Sequence, residues 1–175
     1  MAVTSSKGTI IYISPKLPAA YTEAGYRALI KSDSSVEDPA SDEKTNTFVK
    51  LAMALNLPAF GLDWEVIRET PMETGIIIKG KGVSDPGSLD VEMLLDEADS
   101  GQPVMEAALA AEGPVSFAVR YKAGTSGKNG LVYYFRALVT RFRPSAAGAS
   151  SFAMRSAGLE LDLHAPIKST WTVPA

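Results

Sequence analysis

The sequence has no cysteine and a single histidine, His164, in 175 residues. The first absence excludes disulfide scaffolds, thiolate nucleophiles, iron–sulfur sites and cysteine-ligated zinc. The second excludes a metal site built on paired histidines. No apolar run approaches the roughly 18 residues that a membrane span needs. The first ten residues, MAVTSSKGTI, lack the apolar stretch of a secretory signal. The expectation is synthesis in a reducing cytoplasm and no membrane insertion. The net charge is only −3, from 17 Lys and Arg against 20 Asp and Glu, so a uniformly basic nucleic-acid-binding surface is not expected. What is present is a globular composition. Hydrophobic residues make up 46%, enough for one domain with a sizeable core, and 14 Gly and 11 Pro are scattered as in a turn-rich chain.

The charge is unevenly placed. Residues 1–113 hold nine Lys and Arg against eighteen Asp and Glu, a net −9; residues 114–175 hold eight against two, a net +6. Two readings stand. Complementary acidic and basic surfaces would suit head-to-tail contact between copies. Alternatively, strands from both halves intermix and the charges average out in space.

Along the chain, Gly8–Ser14 reads as a strand stopped by Pro15 and Pro18, and Tyr21–Ile30 as a short helix with Thr22 at its N-cap. Residues 32–47 (SDSSVEDPASDEKTNT) carry five acids and two apolar side chains, Val36 and Ala40. That composition cannot bury enough area to order itself alone. With its flank to residue 50 it is expected to be a long loop, either ordered by a partner or simply solvated. Phe48–Leu57 fits a helix or a buried strand equally. Beyond Gly61 the pattern is β. Trp64, Val66 and Arg68 share one parity, and Gly75–Val83 is a second run bent at Gly80 and Gly82. Asp85–Pro86–Gly87 is a turn. Ser88–Leu95 alternates cleanly, with Leu89, Val91, Met93 and Leu95 on the core side and Asp90 and Glu92 on the other.

One dependable helix follows, with Ser100 or Gln102 as cap, Pro103 in its first turn and Gly113–Pro114 after it. Its apolar stripe is Val104, Ala108 and Ala111, extended by Met105 and Leu109. Pro114–Lys122, Leu131–Phe142 and Ser150–Leu163 read as strands, the middle one apolar on both faces. Residues 165–175 read as an extended C-terminal arm. The sum is a single, mainly β domain over residues 1–175. It is an antiparallel sandwich or barrel with one flanking helix, a long polar loop and extended termini.

No catalytic constellation emerges. There is no G-x-S-x-G, and His164 reads as a strand-end surface residue. Gly124–Asn129 resembles a phosphate loop, but the glycine spacing is short and Asn129 replaces the metal-reaching hydroxyl. Asp96, Glu97 and Asp99 lack calcium-loop spacing and suit a helix N-terminus. No catalytic, metal or cofactor site is assigned.

Several stretches together resemble the tail tube (major tail) proteins of long-tailed, siphovirus-like bacteriophages. They are Gly87–Met93 (GSLDVEM), Asp99–Gln102 with Ala107 and Ala108, Val115–Val119 (VSFAV) and Tyr134–Thr140 (YFRALVT). Ser151–Met154 (SFAM), the closing Leu159–Leu163 (LELDL) and Ala24–Tyr26 with Ala28 and Leu29 complete the set. The resemblance covers residues 8–30 and 60–168. It implies a structural subunit, not an enzyme. Copies would form hexameric rings stacked around the tape measure protein, capped by terminator and tip proteins. A hairpin from each copy would line the channel for double-stranded DNA, in a virion tail assembled in the host cytoplasm.

On this reading Ser88–Leu95 and its neighbour Gly75–Val83 supply the hairpin, with Asp90, Glu92, Lys79 and Lys81 toward the lumen. Asp33, Glu37, Asp38, Asp42, Glu43, Phe48 and Trp171 are candidates for subunit or ring contacts, although residues 32–50 match no motif of the family. Two alternatives remain. One is a single-stranded nucleic-acid module using Tyr133, Tyr134 and Phe135 with Arg136, Arg141 and Arg143. The other is a tail-end adaptor or secretion-tube ring.

Overall fold

The computed structural model describes residues 9–29, 48–51, 54–123, 129–145, 152–162 and 164–171. The first strand, β1 (Ile10–Ser14), is followed by α1 (Glu23–Leu29), β2 (Val49–Leu51), β3 (Ala54–Asn56), β4 (Asp63–Glu69), β5 (Ile78–Asp85) and β6 (Ser88–Leu94). Then come α2 (Gly101–Ala110), β7 (Val115–Ala123), β8 (Asn129–Ser145), β9 (Met154–Leu161) and β10 (Ile167–Trp171). Phe48–Leu57, open between helix and strand, contributes two short strands. The expected flanking helix is α2, and α1 lies within the short helix expected over Tyr21–Ile30.

Eight strands form one antiparallel sheet in the order β2-β1-β7-β8-β9-β6-β3, with β10 also on β8. The two ends of that order, β2 and β3, are nearly consecutive in sequence. Leu51 and Ala54 are three residue steps apart, so their Cα atoms lie within about 11 Å. The sheet therefore has to curl until its ends approach, which gives a half-barrel. The 17-residue β8 pairs with three strands along its length. Its first half pairs with β7 from Ala123↔Asn129 to Val115↔Ala137. Its second half pairs with β9, from Ala137↔Leu161 to Ser145↔Met154. The register with β9 shifts between Val139 and Arg141, as at a bulge.

Each face of the sheet has its own core. Inside the curl, Ile11, Ile13, Leu89, Val91, Met93, Phe117, Phe135 and Leu159 pack with Met105 and Ala108 of α2. On the opposite face, Tyr12, Tyr26, Phe48, Ala118, Val132 and Tyr134 pack under α1. This second core buries both faces of β7, where the sequence pattern gives only one apolar face. The alternation of β6 appears as expected, with Leu89, Val91 and Met93 buried. Leu95, expected with them, lies past the strand end and is exposed.

The helices are held by specific polar groups. In α1, Thr22 Oγ1 accepts the Gly25 N–H at 3.1 Å, the expected cap, and Tyr26 stacks on Tyr134 at 5.2 Å. The cap of α2 differs from expectation. The Ser100 side chain makes no capping bond. Instead the buried Asp99 carboxylate accepts the Gly101 and Gln102 N–H groups, each at 3.2 Å. The buried stripe of α2 is Gly101, Gln102, Met105 and Ala108, whereas Leu109 and Ala111 are exposed. Gly101 is required where it stands, because a Cβ there would overlap the Lys50 carbonyl oxygen.

Part of the expected C-terminal arm belongs to the domain itself. Residues 167–171 pair with β8 from Ile167↔Tyr134 to Trp171↔Gly130. The Arg27 guanidinium donates to Ser169 Oγ at 3.2 Å and Ser169 donates to Glu23 at 2.7 Å, tying β10 to α1. The arm reading fails there because β8 has an open edge beside β10 that strand pairing fills.

Candidate assembly surface

Among the described residues the most exposed element is the two-stranded sheet β4–β5, separate from the main sheet. Its register runs from Asp63↔Asp85 and Trp64↔Ser84, across a bulge, to Val66↔Lys81, Ile67↔Gly80, Arg68↔Lys79 and Glu69↔Ile78. Every residue of β4 is exposed. Eight large apolar side chains on this hairpin face solvent: Trp64, Val66, Ile67, Met72, Ile76, Ile77, Ile78 and Val83, with Met72 at its tip fully exposed. The tip closes through the Gly75 N–H on the Pro71 carbonyl at 3.0 Å, with Gly75 at φ 60, a conformation that favours glycine. Two strands with no sheet or helix over either face are marginal in water. An apolar patch of this extent marks an interaction site.

This arrangement corrects the expected hairpin. Gly75–Val83 does not pair with Ser88–Leu95; β5 pairs with β4, and β6 pairs with β9 and β3. The reason lies in the link. Gly87 turns at φ 78 while its N–H bonds Asp85 Oδ1 at 2.8 Å, and β6 enters the main sheet opposite β9. Lys79 and Lys81 therefore stand on a different sheet from Asp90 and Glu92. Lys81 Nζ sits 5.1 Å over the Trp64 ring, a cation–π contact.

Asp90 and Glu92 lie on the exposed face of β6. Asp90 pairs with the Arg141 guanidinium two strands away. Gly158 lies between them in the register, and a Cβ there would come within 3.2 Å of Arg141 Cβ and 3.6 Å of Asp90 Oδ1. Glycine thus leaves the path across β9 open. Glu92, Ser156 and Arg143 form the next row of the same face. The surface is therefore mixed, acidic along β6 and basic along β8. The ion pair itself is solvent-exposed and contributes at most about 1 kcal/mol.

The other candidates distribute differently. Phe48 is only 2% exposed, 6.4 Å from Tyr134 in the second core, so it is a packing residue and not a contact. Tyr134 and Phe135 are each 1% exposed. Their rings are not available for base stacking; of the three aromatics only Tyr133 is partly exposed, edge-on to Phe60 and Tyr121. The backbone of Trp171 ends β10, and its side chain lies outside the described residues. Asp33, Glu37, Asp38, Asp42 and Glu43 also lie outside them, as does most of the Gly124–Asn129 loop.

His164 is exposed, as expected, with its ring 4.6 Å from Tyr21. Burial lifts the Tyr21 hydroxyl to about 12, against the opposing pull of Arg136. A groove of about 360 Å³ beside β3 is lined by Thr9, Ile11, Ala54, Leu55, Asn56, Leu57 and Tyr121, none of them charged. The exposed hairpin is the feature that sequence reasoning missed. Its signal was present as isoleucines at 76–78 next to a strand, Trp64–Arg68, that mixes apolar and charged residues on both parities.

No protein-family model and no curated protein matches the chain in sequence. Solved structures do match in shape. A chain of the SPP1 tail tube superposes with a TM-score of 0.56 at 13% identity, covering 97% of this chain and 81% of its own. A chain of the anti-feeding prophage (AFP) baseplate superposes with a TM-score of 0.55 at 14% identity, covering 76% of this chain and 89% of its own. The curled antiparallel sheet with its flanking helices is a tail-tube-like fold.

Proposed function

We propose that this chain is a structural tube subunit. Its copies join head-to-tail into hexameric rings, and the rings stack into the hollow tube of a phage tail that delivers double-stranded DNA. The β4–β5 hairpin carries this reading, because eight large apolar side chains stand in water on an element that belongs to neither core. The fold supports it: one similar chain comes from a tail tube and the other from a baseplate solved with 6-fold symmetry. Tape measure, terminator and tip proteins are the further partners of such a tube. The test compares the full chain with a variant in which a short Gly-Ser turn replaces residues 64–84. Sedimentation of the full chain should show concentration-dependent growth into large assemblies. The variant should remain a folded monomer. A variant that assembles like the full chain would contradict the assignment.

The outer face of β6 is the candidate channel wall, with Asp90 and Glu92 repelling the phosphate backbone. Arg141 shares that face and offsets Asp90, which leaves Glu92 as the stronger repulsive charge. Asp90→Lys with Glu92→Lys should slow DNA ejection at unchanged tube length. Normal ejection by that variant would remove β6 from the channel.

A further inference from the structure

The two faces of the β4–β5 hairpin carry opposite charge. Alternation along β4 and the register with β5 place Trp64, Val66, Arg68, Lys79 and Lys81 on one face. Glu65, Ile67, Glu69, Ile78 and Gly80 fall on the other. All ten are exposed. Among the described residues, Glu65, Arg68, Glu69 and Lys79 have no ion-pair partner. One face thus offers three cations around an aromatic and a valine. The opposite face offers two carboxylates around two isoleucines, with open space over Gly80.

We propose that, in the assembly, the basic face of one hairpin packs on the acidic face of the hairpin from a second copy of this chain. This rests on the tube-subunit reading and specifies its contact. The occupant follows from the need to cover both faces. A nucleic acid would match the cations but leave the acidic, isoleucine-bearing face in water. A second copy presents one face of each sign, so a run of copies satisfies every face except the first and last. Such a contact is heterologous, since face meets opposite face, and it propagates with a fixed direction. Packed sheets lie about 10 Å apart, a spacing at which Trp64 of one hairpin can fill the space over Gly80 of the next. Charge sets which face meets which, and the apolar side chains supply the buried area.

The experiment uses charge exchange in the full chain. One variant carries Arg68→Glu and Lys79→Glu, and another carries Glu65→Lys and Glu69→Lys. Each alone has two faces of like sign, and its assembly should need at least about tenfold more protein, the equivalent of some 1.4 kcal/mol. An equimolar mixture should assemble near the wild-type concentration, with the two variants alternating. All four changes in one chain keep the hairpin's net charge and should restore self-assembly, which also controls for folding. The proposal is overturned if either two-residue variant assembles as the wild type does. It is also overturned if neither the mixture nor the fourfold variant recovers assembly while the wild type still polymerises; in that case the tube reading survives. Salt-sensitive binding of duplex DNA that Arg68→Glu and Lys79→Glu abolish, with assembly intact, would assign the basic face to nucleic acid and likewise overturn it. Failure of the wild type to polymerise at any concentration would remove both readings together.

Discussion

Single side chains here act mainly through what burial denies them. Tyr26 is wholly buried and its hydroxyl has no hydrogen-bond partner among the described residues. Tyr26→Phe deletes that group and keeps the ring stacked on Tyr134. It should leave stability unchanged or raise it by about 1 kcal/mol, readable as the thermal midpoint. Burial also lifts the Tyr134 hydroxyl to about 12, opposed by Arg27, and pushes that of Tyr26 higher still. The sign follows from the protons held. Below pH 10 folded and unfolded chains both keep them; between about 10 and 12 only the folded chain does, so stability falls as pH rises through that window. Tyr134→Phe should flatten the fall between pH 10 and 12 in a urea titration. An unchanged slope would mean that other groups drive alkaline unfolding. At this scale the sequence was only half legible. Phe48 borders a polar segment and reads as a contact residue, but its partner Tyr134 lies 86 positions away and buries it.

Elements were legible where one face meets the core and one meets water. β6 was found by alternation alone, and its burial follows that alternation residue by residue. β4 and β5 were found as strands, but their pairing was not, because neither has a core face to fix it. β10 sits between Pro166 and Pro174 and looks like an arm. Only the free edge of β8 shows where it belongs. The start of α2 was located correctly, while its cap was assigned to Ser100 or Gln102 and the capping carboxylate is that of Asp99. Asp99→Ala should cost about 1–2 kcal/mol, since the buried carboxylate serves two N–H groups at that helix end. Ser100→Ala should cost almost nothing. Equal losses in thermal unfolding would return the cap to Ser100.

For the whole molecule, folding and assembly are divided between separate parts. The curled sheet packs its two cores under α2 and α1 and leaves the outer face of β6 in water. The β4–β5 hairpin is the reverse, exposed on both faces and bearing opposite charges. The excess of acid in the first 113 residues is therefore only partly mixed away in space: on the main sheet Arg141 meets Asp90 and Arg136 meets Asp162, whereas the hairpin keeps its charges apart on two faces. Negative-stain microscopy of the concentrated chain tests the central claim most directly. The account predicts rings and hollow filaments of uniform width that lengthen with concentration. Single particles of monomer size at every concentration, with the hairpin intact, would contradict it.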